Sequence, residues 1–142
     1  MADAPLYLLD TNIMSDMMRN PLGLASQKFR TLLAAGGNAG VCTSVIVQCE
    51  LLFGLRRRTN PKWQTYYDLL LDSVTVMPFE PGAAAHYAKL RTELEVAGTP
   101  IGSNDTLIAA HALALNCTLV TADAEFARVP GLMIENWLVS SA

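Results

Sequence analysis

Charged residues are scarce in this chain of 142 residues. Lys, Arg, Asp and Glu together make up 16% of it, against roughly 25% in an average soluble protein. The formal net charge is −3. The chain therefore lacks the overall positive charge that is typical of nucleic-acid-binding proteins. Apolar residues reach 51%, which is ample for one core. A partner that covers apolar surface, or a tight parallel sheet, gives the same composition, and both explanations stay open.

Cysteine and histidine are also sparse. The three cysteines are Cys42, Cys49 and Cys117, and no pair has the spacing of metal ligands. Their apolar neighbours predict small core side chains, and an odd, scattered set favours a reducing compartment. The two histidines, His86 and His111, lie far from zinc-motif spacing. The sequence therefore argues against both a disulfide scaffold and a zinc site.

Long apolar runs are absent as well. No run approaches the roughly 18 residues of a membrane-spanning helix, and no basic N-terminal stretch leads into an apolar run. We therefore expect a cytoplasmic protein without membrane contact. The sequence has no internal repeat, low-complexity segment or linker, which predicts one domain over residues 1–142.

Short apolar runs alternate with helical patterns along the chain. Five runs predict strands, over residues 6–9, 40–43, 73–77, 118–121 and 132–134. Helices are predicted between them, the second ending at Gly36-Gly37 and the last capped by Asn104. The interval 82–115 holds two helices in a row. This order predicts an α/β sandwich with a mainly parallel five-stranded sheet.

Four carboxylates occupy unusual positions in this pattern. Asp10 closes the first predicted strand, Asp123 follows the fourth, Glu50 lies inside an apolar helix, and Asp105 lies in the first turn of another. Ligand sites in open α/β sheets lie beyond the carboxyl ends of the strands, so we expect the four acids to converge there. Their mutual repulsion then requires a divalent cation, and oxygen ligands favour Mg²⁺ or Mn²⁺.

Glu50 is the most informative of these acids. Its neighbours at helical spacing are Ile46, Val47, Phe53 and Gly54, so we expect this face to point into the protein. A buried carboxylate needs a cation, a donor or a proton. A metal held by carboxylates, with no cysteine or histidine nucleophile, suits phosphodiester hydrolysis, in which an acid accepts the proton of water.

Each acid also has an ordinary structural interpretation. Asp10 and Asp105 are suited to helix N-termini, Asp123 is suited to a turn, and Glu50 is within reach of Arg56 or Arg57. Four acids at element ends or on an apolar face favour a site more strongly than each does alone.

Four sequence motifs occur in the order known from one family. They are Leu8-Leu9-Asp10-Thr11-Asn12, the segment from Glu50 to Gly54, the segment from Asn104 to Ala112, and the segment from Leu119 to Asp123 followed by Glu125-Phe126. These motifs resemble those of PIN-domain nucleases. With the tail from Val129 to Trp137, the chain is similar to VapC-type toxins of type II toxin–antitoxin systems. The resemblance covers about residues 6–137.

The resemblance implies a PIN-like α/β/α fold and a Mg²⁺- or Mn²⁺-dependent endoribonuclease toxin that cleaves structured RNA, either tRNA or rRNA. It further implies a homodimer and a VapB-type antitoxin, which would block the acidic site and alone contact operator DNA. The implied site residues are Asp10, Glu50, Asp105 and Asp123 as catalytic metal-site acids, supported by hydrogen bonds from Thr11, Asn12 and Thr121. Ala122 departs from the family, in which many members have Asn, and this puts one hydrogen bond in doubt.

Several other residues admit two interpretations. The only basic run, Arg56, Arg57 and Arg58 with Lys62 nearby, either holds RNA phosphates or complements the dipole of a helix end. Packing is favoured over base stacking for Trp63, Tyr66 and Tyr67 because of their helical spacing. Met14, Met17 and Met18 form either core or an adaptable surface for the antitoxin. His111 is interpreted as a satisfied helix histidine rather than a general base.

Two other functional classes remain open from the residues. An apolar strand that ends in Asp also begins phosphatases that form an aspartyl-phosphate, but these need a second acid where Asn12 stands. A non-catalytic module that binds nucleic acid or a protein partner is the other alternative, and the complete set of four acids argues against it.

Overall fold

A computed structural model describes residues 6–35 and 40–140. Its five strands form one sheet in the order β3-β2-β1-β4-β5, and every neighbouring pair is parallel. The strands are β1 (Leu6–Leu9), β2 (Gly40–Ser44), β3 (Thr75–Met77), β4 (Thr118–Val120) and β5 (Ile134–Glu135). The predicted α/β class and five-stranded sheet are confirmed, and the sheet is entirely parallel.

Six α-helices flank this sheet in the described part of the chain. They are α1 (Thr11–Arg19), α2 (Leu24–Ala34), α3 (Val45–Arg57), α4 (Pro61–Leu71), α5 (Pro81–Val96) and α6 (Ser103–Leu115). A 3₁₀ helix, Ala124–Arg128, follows β4. The predicted pair of helices between consecutive strands is confirmed as α5 and α6. Gly36-Gly37, the predicted end of the second helix, lies outside the described residues.

The strand order determines where side chains can converge. From β1 the sheet grows through β2 to β3 on one side, and through β4 to β5 on the other. The order therefore reverses between β1 and β4, and open sheets of this kind bind ligands at such a switch point. Asp10 follows β1 directly, and its backbone N–H donates to the carbonyl of Val120 at the end of β4, over 2.9 Å. Asp10 thus lies at this point of the sheet.

The core is built from the strands and the apolar faces of the helices. Leu8 and Leu9 on β1 are fully buried, as expected for a central strand covered on both faces. On α6, the fully buried residues include Ile108, Ala109 and Ala112, and small side chains there allow α5 to approach. The methionines of α1, Met14, Met17 and Met18, are all buried in the same cluster, so their core interpretation is confirmed.

Several local predictions were wrong. Helix α6 begins at Ser103 with Gly102 as its N-cap, so Asn104 is not the cap. Cys49 is exposed, unlike Cys42 and Cys117, because it lies on the outer face of α3. Phe53 is 63% exposed, so the face of Glu50 does not point wholly into the protein. The last strand begins two residues later than predicted, because residues 132 and 133 lie between the turn at residues 130–131 and the strand itself.

Within residues 6–35 and 40–140, no helix combines the length and the apolarity needed to cross a membrane.

Candidate active site

Asp10 is fixed by its position between β1 and α1. It is the N-cap of α1, and its Oδ1 accepts a hydrogen bond of 2.8 Å from the backbone N–H of Thr11. Its Oδ2 accepts bonds from the Thr121 hydroxyl at 2.7 Å and from the Asn12 amide at 3.2 Å. The capping interpretation of Asp10 is therefore correct, but the cap leaves a buried carboxylate at the ligand-binding edge of the sheet.

Glu50 approaches Asp10 from α3. Its Oε1 accepts a hydrogen bond of 2.6 Å from the hydroxyl of Thr11, the residue that follows Asp10. This bond joins the first turn of α1 to the second turn of α3, which begins directly after β2. Glu50 makes no ion pair with Arg56 or Arg57 within the described residues. The donor that its partly buried carboxylate requires is a hydroxyl.

Asp105 and Asp123 complete the convergence from the other side of the site. Asp105 lies in the first turn of α6, and Asp123 caps the 3₁₀ helix after β4. Oxygen atoms of these two carboxylates and of Glu125 lie within 4.8 Å of one another. Asp123 Oδ1 also accepts a bond of 2.9 Å from the backbone N–H of Glu125, which holds the two acids on the same turn.

Glu125 was not predicted as a site residue. The available signal was the order Asp123-Ala124-Glu125 directly after a strand, which places two acids on one short turn. Its contribution depends on the 3₁₀ conformation of residues 124–128, which turns the side chain back towards Asp105. Arg128 Nη1 lies 3.9 Å from Oε1 of Glu125, and this is the single ion pair made by the five acids within the described residues.

The charges of the acids affect one another strongly. Burial, followed by repulsion from Asp10, Asp123, Glu50 and Glu125, raises the pKa of Asp105 to about 6. Burial also raises the pKa of Asp10, and its bonds from Thr121 and Thr11 oppose this rise. Burial is the main cause of both shifts, and repulsion among the acids adds to it, so a cation at this place would favour the charged forms of both groups.

The predicted supporting residues form a connected network. Thr121 is buried, and its hydroxyl donates to Asp10 and accepts from the backbone N–H of Asp123 at 3.1 Å. The Oδ1 of Asn12 accepts from the backbone N–H of Ala122 at 3.0 Å. Ala122 therefore contributes its backbone, and no Asn side chain is needed for this bond. The amide of Asn12 donates to Asp10, so it has no proton-accepting role of the kind that the phosphatase alternative requires.

His111 lies away from the acids. It is buried on α6, and its Nδ1 lies 2.8 Å from the Ser44 hydroxyl, which also caps α3. The ring of Phe79 packs against it edge-on, with ring centroids 5.2 Å apart. Burial lowers the pKa of His111. His111 is thus a buried helix histidine away from the acids, as predicted. The prediction that it is satisfied holds only for Nδ1, because the buried Nε2 has no hydrogen-bond partner within the described residues.

Only part of the basic run, Arg57 and Arg58, lines a cleft in the structure. Arg57 and Arg58 line a cleft that begins at Thr11 and Glu50, whereas Arg56 is not among its lining residues. Trp63 also lines this cleft, while Tyr67 is buried in the core. The packing prediction is therefore confirmed for Tyr67, and Trp63 is only half-buried.

The residues present suit a hard divalent cation. The ligand atoms are carboxylate oxygens without sulfur or imidazole, the set that Mg²⁺ and Mn²⁺ prefer. Asp105, Asp123 and Glu125 lie close enough together to share one ion. Asp10 and Glu50 lie near enough to raise the pKa of Asp105 and are oriented by the bonds described above.

Comparisons with known proteins agree with this geometry. The profile of the PIN domain matches residues 7–132. Ribonuclease VapC2 of Rickettsia felis is 37% identical over 135 residues, covering 93% of this chain and 98% of the relative. The tRNA(fMet)-specific endonuclease VapC of Salmonella typhimurium is 29% identical over 133 residues, covering 92% and 97%.

A solved structure gives the same result for the fold. The crystal structure of VapBC2 from Rickettsia felis, bound to a DNA fragment from their promoter, contains a chain that matches with a TM-score of 0.86. Their sequences are 35% identical, and the match covers 93% of this chain and 98% of that chain. The predicted PIN-like α/β/α fold and the similarity to VapC proteins are confirmed. The chain therefore belongs to the PIN domain family, and the relatives that it resembles are VapC ribonucleases.

Proposed function

We propose that the chain is a Mg²⁺- or Mn²⁺-dependent endoribonuclease and the toxin of a toxin–antitoxin pair. The convergence of Asp105, Asp123 and Glu125 carries the proposal, because their oxygens lie within 4.8 Å of one another and Asp10 and Glu50 add further repulsion, which a cation would relieve. The names of the relatives add the reaction class, since they are ribonucleases and endonucleases. We expect the activity in the cytoplasm, where the RNA substrate is.

The proposed roles follow from the positions of the acids. Asp105, Asp123 and Glu125 would hold the ion, and Asp10 at the end of β1 and Glu50 on α3 would add negative charge beside it. When bound, the ion polarises the phosphate group and makes a water molecule a better nucleophile. One of the carboxylates accepts the proton of that water. Thr11, Asn12 and Thr121 keep Asp10 and Glu50 in fixed orientations through their hydrogen bonds.

The proposed RNA target is a structured RNA, with tRNA as the first candidate. One relative is named for tRNA(fMet), and we extend only the class of target to this chain, with rRNA as the alternative. The proposed protein partner is a VapB-type antitoxin, because a similar solved chain is part of a VapBC assembly with promoter DNA. Contact with operator DNA would occur through that antitoxin. We also expect the toxin to form a homodimer.

The decisive experiment measures cleavage of bacterial tRNA and of total RNA by the purified chain. We expect discrete fragments with Mg²⁺ or Mn²⁺, none with EDTA, and a loss of about 10²- to 10⁴-fold in the Asp10→Ala variant. The matched control is Asp68→Ala, an exposed acid on α4 away from the cluster. Equal cutting by the wild type and the Asp10→Ala variant would reveal a contaminating nuclease. No cutting under any condition would contradict the proposal.

A further inference from the structure

A cleft of about 260 Å³ extends from the acidic site along the groove between α1, α3 and α4. Thr11 and Glu50 line its inner end, and Arg19, Arg57, Arg58 and Trp63 are also among its lining residues. The cleft is therefore continuous with the carboxylates, since Glu50 belongs to both.

The charge of the cleft is opposite to that of the protein. Three arginines line it against a single acid, Glu50, although the whole chain carries −3. Within residues 6–35 and 40–140, no carboxylate lies within 4.0 Å of the side-chain nitrogens of these arginines. Their positive charges are thus available to a ligand. Because clustered charges in a concave site raise the local potential, the cleft attracts polyanions.

Aromatic surface accompanies these charges. Trp63 is half-buried on α4, with Tyr66 edge-on to it at a centroid distance of 5.8 Å. The ammonium group of Lys62 lies 5.5 Å from the centroid of the Trp63 ring. Proteins bind single-stranded nucleic acid through positive side chains that contact the phosphates and aromatic side chains that stack on the bases. The half-buried indole of Trp63 among cations provides both.

We infer that this cleft binds the single-stranded segment of the RNA next to the scissile phosphate. Arg19, Arg57 and Arg58 contact its phosphates, and Trp63 stacks on one base. Arg56 is not needed for this binding, because it does not line the cleft. The inference rests on the proposed nuclease function and adds the binding residues for its substrate.

An acidic protein segment is the competing occupant, and the cleft favours RNA for two reasons. Its inner end is lined by Glu50, one of the acids of the candidate site, beside which a substrate strand must lie. Its phosphate-binding charges are also combined with an indole that can stack on any base.

The test measures binding of a fluorescein-labelled, single-stranded RNA of mixed sequence at several salt concentrations, with Ca²⁺ replacing Mg²⁺ to suppress cleavage. The first variant combines Arg19→Gln, Arg57→Gln and Arg58→Gln, and Arg56→Gln is its control. We expect the plot of log K against log salt to become less steep by about 0.7 for each arginine removed from the cleft. Arg56→Gln should leave this steepness unchanged. Trp63→Leu should weaken binding roughly tenfold without changing the slope. Circular dichroism checks the folding of each variant.

The outcomes separate this inference from the proposed function. Wild-type affinity and slope in the triple variant would overturn the inference and indicate a protein partner for the cleft. An equal loss in Arg56→Gln would also overturn it, because the effect would then be general charge. If the wild type binds RNA through the cleft but never cuts it with Mg²⁺ or Mn²⁺, the cleft is an RNA-binding site and the nuclease function fails. If the wild type cuts RNA and the cleft variants bind normally, only the inference fails.

Discussion

The hydroxyl of Thr11 donates a hydrogen bond of 2.6 Å to Oε1 of Glu50. The same residue donates its backbone N–H to Oδ1 of Asp10 over 2.8 Å. One threonine thus sets the relative positions of two acids from different parts of the chain, Asp10 at the end of β1 and Glu50 on α3. Partners of this kind orient metal-binding side chains, and their removal typically lowers metal affinity or activity by about 10- to 100-fold.

Replacing Thr11 with Val tests this role. Valine retains the backbone bond to Asp10 and the shape of the side chain but leaves Glu50 without its donor. We expect Mn²⁺ affinity and RNA cleavage to fall by about 10- to 100-fold, with little change in the unfolding midpoint. Isothermal titration and a single-turnover cleavage assay measure the two effects. Thr11→Ser retains the hydroxyl and should behave like the wild type, and a Val variant equal to wild type would rule the role out.

The convergence of the main acids was predictable from the sequence for a physical reason. Asp10 and Asp123 follow apolar strands, and parallel strands end at the same edge of a sheet. Glu50 and Asp105 lie in the first two turns of helices that begin at that edge. The wrong cap, Asn104 instead of Gly102, did not affect this result, because Asp105 lies in the first turn of α6 in either case.

The errors have two other causes, the rotation of α3 about its axis and the turn that follows β4. Periodicity identified α3 as a helix but did not identify its buried face, because the apolar residues surround it. The structure buries Val47 and Leu51 and leaves Phe53 and Cys49 exposed. Which arginine of the basic run lines the cleft depends on the same rotation of the helix. Glu125 was missed because its position depends on a 3₁₀ turn, which has no strong sequence signal.

Asp105 makes the stability of the metal-free protein depend on pH. Its pKa rises from 3.8 to about 6 on folding, so the folded state binds this proton more tightly than the unfolded state does. Its contribution to stability is therefore complete below about pH 4 and is lost as the pH rises through about 6. In EDTA, we expect the wild type to lose stability between these values relative to Asp105→Asn.

Urea unfolding of both proteins at several pH values measures this difference. Added Mg²⁺ should stabilise the wild type more at pH 8 than at pH 5, because the ion competes with the proton for the carboxylate. Identical pH profiles for the wild type and Asp105→Asn would show that the group does not titrate in this range.

Glu125→Gln tests the acid that the sequence motifs did not assign to the site. The amide removes one negative charge from the group of three oxygens that lie within 4.8 Å of one another. We expect Mn²⁺ affinity to fall by at least about tenfold, and cleavage at limiting metal to fall with it. High Mn²⁺ should restore part of the activity. Glu95→Gln is the control, because this exposed acid also pairs with an arginine, Arg91, but lies on α5. Equal metal affinity in the two variants would exclude Glu125 from the site.

Gly54 offers a prediction about stability that does not involve the acids. It lies within α3, and an added Cβ would meet no atom within 4 Å. Glycine inside a helix costs roughly 0.5–1 kcal/mol relative to alanine, because it loses more backbone freedom on folding. Gly54→Ala should therefore raise the free energy of unfolding by about this amount, as measured by urea denaturation.

Gly98→Ala is the opposite control, because its φ of +71° is strained for any side chain, and this variant should be less stable than the wild type. A loss of stability in Gly54→Ala would mean that the open space beside α3 is occupied in solution, for example by a second protein chain.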